Sequence, residues 1–280
     1  NINWYPGHMK KTRELIQENL KAVDLVIELL DSRIPISSRN PIIDELVGDK
    51  RRIVLLGKSD LADSEETEKW QRYFSRKGDK TLAIDARSGE NINRLFSILD
   101  DVQREKNQQR QMNRSIRMMV VGVPNVGKSS LINRLIGKKS AKTGDKAGVT
   151  RGKQWVTLKN GMQLLDTPGI LWPKFEDQAV GQKLAISGSI KDDILNITEL
   201  AMKLADYMSK NYPGTMASRY GIEESDDSVK LLADIAIAKC CLMKGGEPNI
   251  DKAASMLIDD FRSLRLGKVT LEQPPQSEEE

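Results

Sequence analysis

The sequence predicts an α/β chain: a mostly parallel sheet flanked by helices, followed by a small all-helical region. Three observations support this. Short apolar runs alternate with amphipathic stretches as far as residue 136, the rhythm of βαβ units. A glycine-rich loop near the middle of the chain stands between an apolar run and an amphipathic stretch. Beyond Pro173 the strand patterns stop, and three segments with apolar residues at helical spacing follow.

In chain order, buried strands are expected at 25–30, 53–56, 82–84 and 118–121, and helices at 9–21, 65–75, 92–106 and 128–135. Lys159-Asn160-Gly161 separates 154–158 from 162–165 and is a good hairpin turn, so an antiparallel edge should join the parallel sheet. The polar stretch 104–114 (REKNQQRQMNR) reads as a linker or as an extension of the helix before it. Later helices are expected at 196–209, 229–243 and 250–264; in the last, Ile250, Ala254, Leu257, Ile258, Phe261 and Leu264 line one face. The domains expected are 1–173 and a helical C-terminal domain over 174–271. The end, 272–280, with Pro274-Pro275 and the acidic Glu278–Glu280, reads as a disordered acidic tail.

A hydrophobic content of 39% in 280 residues is enough for a proper core. No apolar run reaches the roughly 18 residues that span a bilayer, and no signal-peptide pattern opens the chain, so a cytoplasmic protein with no membrane partner is expected. Cys240 and Cys241 are adjacent within an apolar helical pattern; they read as reduced core residues, since neighbours rarely pair and two thiols make no zinc site. The net charge of +4 is unevenly divided: 31 basic against 21 acidic residues (+10) over 1–173, and 13 against 19 (−6) over 174–280. Within 104–153 the count is 13 basic to 2 acidic, which favours a polyanionic partner.

The chemistry lies in four motifs. Gly122-Val-Pro-Asn-Val-Gly127-Lys128-Ser129 follows an apolar strand and opens a helix, the context a phosphate loop requires. Backbone amides from Asn125 and Val126 through Ser130 would face the β-phosphate at the helix N-terminus. Lys128 would bridge the β- and γ-phosphates, and the Ser129 hydroxyl would bind Mg²⁺. In Asp166-Thr-Pro-Gly169, the Asp166 carboxylate should reach the magnesium and the Gly169 amide the γ-phosphate. Thr150 is the choice for the second hydroxyl on magnesium, with Thr143 and Thr157 as competitors.

The base-recognition signature stands upstream of both, as Gly57-Lys58-Ser59-Asp60, with glycine in place of the usual asparagine. Asp60 can accept from N1–H and the exocyclic amine of guanine, a bidentate contact that adenine cannot make. Lys58 can lie over the base. A second base-side loop is expected at Asp85-Ala86-Arg87, the alternative being a generic strand-to-helix turn. This order is that of a P-loop GTPase cut open and rejoined: a circularly permuted GTPase domain binding GTP and GDP. The positions after Gly169 hold Ile170 and Leu171, so no glutamine is available there to orient the attacking water. Asn125 is a candidate for holding a monovalent cation against the phosphates, or else an amide that stabilises the loop. His8, the only histidine, reads on its own as a surface or capping residue.

The permuted order, the opening Trp4-Tyr5-Pro6-Gly7-His8-Met9-Lys10-Lys11, the GVPNVGKSS loop and the DTPGILWPKFED run resemble the ribosome-biogenesis GTPase A (YlqF) family. The resemblance covers the GTPase region and continues through the helical tail. It implies GTP hydrolysis coupled to late assembly of the large ribosomal subunit, stimulated by the particle, with contact to its rRNA. It implies a hydrophobic residue in place of the catalytic glutamine (Ile170), K⁺ at Asn125 and a role in hydrolysis for His8. The family's helical domain is regarded as RNA-binding; here that region is net acidic, with Lys252, Arg262, Arg265 and Lys268 as a local basic face. The expected protein is a monomeric GTPase, slow alone and stimulated by the ribosomal particle. The alternative is a nucleotide-binding scaffold with little or no hydrolysis.

Overall fold

The computed structural model describes residues 9–136, 155–167, 177–192 and 195–275. His8, Thr143, Thr150 and Gly169 lie outside the described residues.

Strand β1 (Leu25–Asp31, LVIELLD) is buried along its whole length, which its apolar residues on both faces require. Its side chains divide with period two: Leu25, Ile27 and Leu29 face one apolar cluster, while Val26 and Leu30 face two others. Parallel partners flank it, β2 (Arg52–Gly57) on one side and β4 (Arg117–Val121) on the other. With β3 (Lys80–Ala83), β6 (Gln163–Asp166) and β5 (Trp155–Thr157) the six-stranded order is β3-β2-β1-β4-β6-β5. Only β5 runs antiparallel, as the Asn160-Gly161 turn predicts.

The chain thus builds outward from β1 to β3, then crosses back to place β4 on the other side of β1. That reversal makes the carboxyl ends of β1 and β4 a topological switch point, where open α/β sheets bind their ligands. The crossing is made by α4 (Ile92–Arg110), which buries Ile92, Leu95, Leu99 and Val102. The polar stretch 104–114 therefore continues the helix through Arg110; Gln111, in the left-handed region at φ 53°, ends it.

The cluster that receives Leu25, Ile27 and Leu29 also receives α4, α5 (Lys128–Leu135) and the C-terminal helices. Those helices are α6 (Gln178–Ile186), α7 (Ile197–Asn211), α8 (Thr215–Tyr220), α9 (Ser228–Ala238) and α10 (Ile250–Arg262). On the opposite face lie α1 (Met9–Lys21) and α2 (Pro41–Val47), and α3 (Ser64–Arg76) packs Trp70 and Phe74 on Leu30, Val54 and Leu56. Each large side chain buried in this way contributes about 1.5–3 kcal/mol.

Three expectations are corrected. Helix α9 stops at Ala238, and Cys240, at φ 53°, is exposed; only Cys241 is a core residue. The tail does not begin at 272. Glu272 is buried, its carboxylate accepting from the amides of Ile36 (2.8 Å) and Ser37 (3.1 Å) and from the Ser37 hydroxyl. Its carbonyl accepts from Trp70 Nε1 at 3.0 Å. Arg262 is unavailable to a basic face, because it pairs with Asp192 at 2.8 Å and donates to the carbonyls of Ala185 and Ile186.

Candidate functional site

At the carboxyl ends of the strands a cavity of about 200 Å³ is lined by three stretches far apart in sequence. Gly57, Lys58 and Asp60 follow β2; Ile84 to Arg87 follow β3; Val126, Gly127 and Ser130 belong to the loop and helix after β4. Leu29, Leu61 and Leu131 complete an apolar wall. The sheet thus closes the gap that the chain order opens.

Each stretch is fixed locally. Gly122 is demanded by space: a Cβ there would stand 2.8 Å from Val126 Cγ1 and 3.0 Å from the Leu29 carbonyl. Gly127, at φ 101°, caps α5, so Lys128 and Ser129 open the helix with its free amides and positive dipole end beside them. Lys128 Nζ lies 2.5 Å from Asp166 Oδ1 at the end of β6, which brings the phosphate-loop lysine and the motif aspartate together.

Lys58, in the left-handed region at φ 55°, donates from Nζ to the Asn125 carbonyl at 2.7 Å, so the base motif grips the phosphate loop. Beneath it lies Asp31, buried and paired with Arg33 at 2.7 Å and with Lys58 Nζ at 3.7 Å. Burial pushes the Asp31 carboxyl up, but Arg33 and Lys58 outweigh it and hold the group below the usual carboxylate range. Burial likewise pulls the Lys58 ammonium below the usual lysine range, with Asp31 opposing. Ser59 opens a short 3-10 turn, Ser59–Leu61, and its amide donates to the Ile84 carbonyl at 3.2 Å.

The second loop is held by Asp85, whose carboxylate accepts from the amides of Arg87 (2.8 Å) and Ser88 (3.2 Å). Burial raises this group, but its bonds to Ser88 and Arg87 bring it below the ordinary value. Arg134 of α5 donates to the Ala86 carbonyl at 2.6 Å and to the Arg87 carbonyl. Sequence reasoning missed Arg134, Asp31 and Arg33. A charged Asp-x-Arg closing a buried strand at the sheet's carboxyl edge was the available signal; for Arg134 there was none.

The cavity brings together Lys58, Asp60, Ala86, Arg87, Val126, Gly127 and Ser130. Ser59, Asn125, Lys128, Ser129 and Asp166 do not line it. Asn125, at φ 58°, donates from Nδ2 to the Gly188 carbonyl at 3.3 Å, a contact to the turn after α6. Thr157 is removed from the choice of magnesium hydroxyls: it pairs with Gln163, at the opposite end of β6 from Asp166.

The donors suit Mg²⁺. A hydroxyl at the helix start (Ser129) and one carboxylate (Asp166) are hard oxygen ligands of the kind magnesium takes alongside phosphates and waters. Such a site needs no cluster of three acidic or thiolate ligands, and none is found among the described residues.

A phosphate loop and a guanine-type base motif joined across a switch point, in permuted chain order, define a circularly permuted P-loop GTPase. The family model described as "50S ribosome-binding GTPase" matches residues 117–232, beginning at the first residue of β4, so the base motif falls outside the match. Ribosome biogenesis GTPase A of Priestia megaterium is 45% identical over 284 residues, 99% of each chain. Mitochondrial ribosome-associated GTPase 1 of mouse is 34% identical, over 96% of this chain and 90% of that one. The solved structure of GNP-bound YlqF from Thermotoga maritima superposes with a TM-score of 0.64 at 28% identity, covering 95% of this chain and 99% of that one. The chain belongs to the ribosome biogenesis GTPase A (YlqF) family, guanine-nucleotide-binding GTPases of ribosome biogenesis.

Proposed function

We propose that this GTPase binds the precursor of the large ribosomal subunit and its rRNA and promotes late maturation, hydrolysing GTP to GDP and phosphate slowly alone and faster on the particle. The observation that supports the reading is the cavity in which Gly57, Lys58 and Asp60, the 84–87 loop, and Val126, Gly127 and Ser130 share one wall, bringing the base motif beside the phosphate loop. The "50S ribosome-binding" description of the matching family supports the large subunit as partner.

In this reading Asp60 accepts from the guanine edge, Lys58 lies along the base, and the Ala86–Arg87 loop meets the guanine carbonyl. Ser59 shapes the base motif. The loop amides from Asn125 to Ser130 hold the phosphates. Lys128 leaves Asp166 to neutralise charge on the β- and γ-phosphates. Ser129, Asp166 and Thr150 hold Mg²⁺, which supplies charge neutralisation when bound. Asn125, whose Nδ2 bonds the Gly188 carbonyl, would hold K⁺ as the family resemblance implies, and the ion would supply further charge neutralisation. The Gly169 amide meets the γ-phosphate, as the Asp166-Thr-Pro-Gly169 motif implies, and His8 acts in hydrolysis, a role that rests on the family resemblance. The protein works as a cytoplasmic monomer with no membrane partner. No helix among the described residues is long and apolar enough to cross a membrane.

Unaided turnover in this class is about 10⁻⁴–10⁻² s⁻¹, and partners raise it by up to about 10⁵-fold. The test is GTP hydrolysis in potassium buffer, with and without purified large subunits, for the native chain, His8→Ala and Asp60→Asn. Expected are stimulation by the particle, its loss in His8→Ala with GTP binding intact, and a shift in Asp60→Asn from guanosine to xanthosine nucleotides. Hydrolysis absent in every mixture, with GTP still bound, would replace this reading with a nucleotide-binding scaffold.

A further inference from the structure

Away from the nucleotide cavity, a second cleft of about 590 Å³ runs along the exposed side of α3. Its floor is a helical stripe in which Lys69, Arg72, Tyr73, Arg76 and Lys77 follow one another at spacings that share a face. Its far wall is Pro274 and Pro275. The wall is anchored at Glu272, where Trp70 Nε1 donates to the carbonyl and the amides of Ile36 and Ser37 hold the carboxylate. Trp70 and Phe74, on the buried side of α3, fix the floor. The cleft is therefore built between two packed walls.

Its charge is only partly compensated. Lys69 pairs with Glu66 at 2.6 Å, and Arg72 reaches Glu68 only at 3.9 Å. Arg76 and Lys77 make no ion pair among the described residues. Lys77 Nζ instead sits over the Tyr73 ring, 5.0 Å from its centroid. A row of exposed cations interleaved with a half-buried aromatic ring is the chemistry of single-stranded nucleic acid binding, in which cations track the backbone and rings stack bases. A base can replace the ammonium over Tyr73 and free Lys77 for a phosphate.

We propose that the α3 cleft is a binding groove for single-stranded RNA, separate from the nucleotide site. This rests on the ribosomal role proposed above, and names the surface that would meet an unpaired rRNA segment. The ring favours RNA over an acidic peptide, which would engage the cations and leave Tyr73 idle.

The test is fluorescence anisotropy of a labelled single-stranded poly(U) oligonucleotide over a KCl series, using the full chain and the variants Arg72→Gln/Arg76→Gln, Tyr73→Leu and Tyr73→Phe. Binding of a fluorescent GDP analogue and thermal unfolding serve as fold controls. In the proposed groove the double variant flattens the slope of log K against log[salt] by about 0.7 for each cation removed. Tyr73→Leu weakens binding about fivefold or more with the salt slope unchanged, and Tyr73→Phe restores it. Equal affinity and slope in all four proteins would overturn the groove, as would a loss on charge removal with no effect of Tyr73→Leu, the signature of a generic polyanion contact. Particle-stimulated hydrolysis measured on the same proteins separates the two readings. If the native chain is stimulated by the particle yet does not bind the oligonucleotide, the groove is wrong and the function stands; if the native chain is not stimulated, the function itself is wrong.

Discussion

Gly57 stands where the base motif usually carries asparagine, and the structure supplies a reason that concerns space rather than backbone. Its φ lies outside the left-handed region, so any side chain is allowed there conformationally. A Cβ at Gly57, however, would stand 2.9 Å from Leu29 Cδ1 and 3.2 Å from the Leu30 carbonyl oxygen. Leu29 is 1% exposed and packed in the core, so the tip of its side chain can yield only toward the cavity that it also lines, while the Leu30 carbonyl, being backbone, must give by a few tenths of an ångström. Overpacking of this kind costs about 1–3 kcal/mol, against about 1 kcal/mol for each hydrogen bond the new amide can make. Gly57→Asn should therefore lower Tm by about 2–12 °C, at roughly 2–4 °C per kcal/mol, without tightening guanine nucleotide. Leu29→Val removes the offending Cδ1. In the double variant the two changes should compensate, with a coupling of about 1 kcal/mol or more, and GTP should bind about fivefold tighter than to the native chain. Thermal unfolding of the four proteins and titration with a fluorescent GTP analogue measure both effects. Stabilities that add within about 0.5 kcal/mol, or a single Gly57→Asn variant with unchanged Tm and tighter binding, would refute the steric argument.

Two further outcomes follow from the geometry. Arg134→Ala removes both bonds to the Ala86 and Arg87 carbonyls; at about 1.5 kcal/mol for each charge-assisted bond, about 3 kcal/mol is shared between loosening of the fold and disorder of the loop, so guanine nucleotide affinity should fall about tenfold and Tm by a few degrees, and an unaltered Kd would show that the loop needs no clamp. Tyr207 donates to the Thr270 carbonyl at 2.9 Å, and burial, followed by Glu66, Glu272 and Asp63, pushes its phenol up to about 12. The folded chain thus holds this proton more tightly than the unfolded chain, so its contribution is complete below pH about 10 and is lost as pH rises through about 12. Tyr207→Phe should flatten part of the fall in urea stability between pH about 10 and 12, and an identical fall in the variant would exclude Tyr207 as its source.

The parts of the fold legible in the sequence are those whose signal is local. β1, β2 and β4 are apolar runs because a parallel strand is buried on both faces, and α5 begins where the phosphate loop must end. The hairpin at Asn160-Gly161 follows from turn chemistry alone. The short helix α2 escaped notice although Asn40 caps it and Pro41 opens it, because seven residues show too little periodicity. The remaining omissions are long-range. Residues 272–275 have the composition of a tail, yet Glu272 is buried by amides some 235 residues away and by Trp70, 202 residues away. Arg134 and the Ala86 carbonyl it holds are 48 residues apart. No window of sequence contains both partners of such a contact.

Other long-range contacts tie the helical region to both halves of the GTPase region. The turn after α6 offers the Ser187 carbonyl to Arg33 Nη2 at 3.1 Å and the Gly188 carbonyl to Asn125 Nδ2 at 3.3 Å. Arg33 pairs with Asp31 under the base motif, its guanidinium also lies 5.5 Å from the Phe261 ring centroid of α10, and Asn125 sits in the phosphate loop. One turn therefore touches both halves that the permuted order separates, and Arg262 fixes it to α10 through the Ala185 and Ile186 carbonyls. Any rearrangement of the phosphate loop that moves Asn125 must move this turn or break its bond. By linkage, a partner that favours one placement of the helical region changes nucleotide affinity by the same factor by which nucleotide changes the partner's. In an unpermuted order a helical appendage would follow the base-reading half. Here it follows the phosphate-reading half and reaches back to the other through Arg33, so both halves of the GTPase region contact the same turn of the helical region.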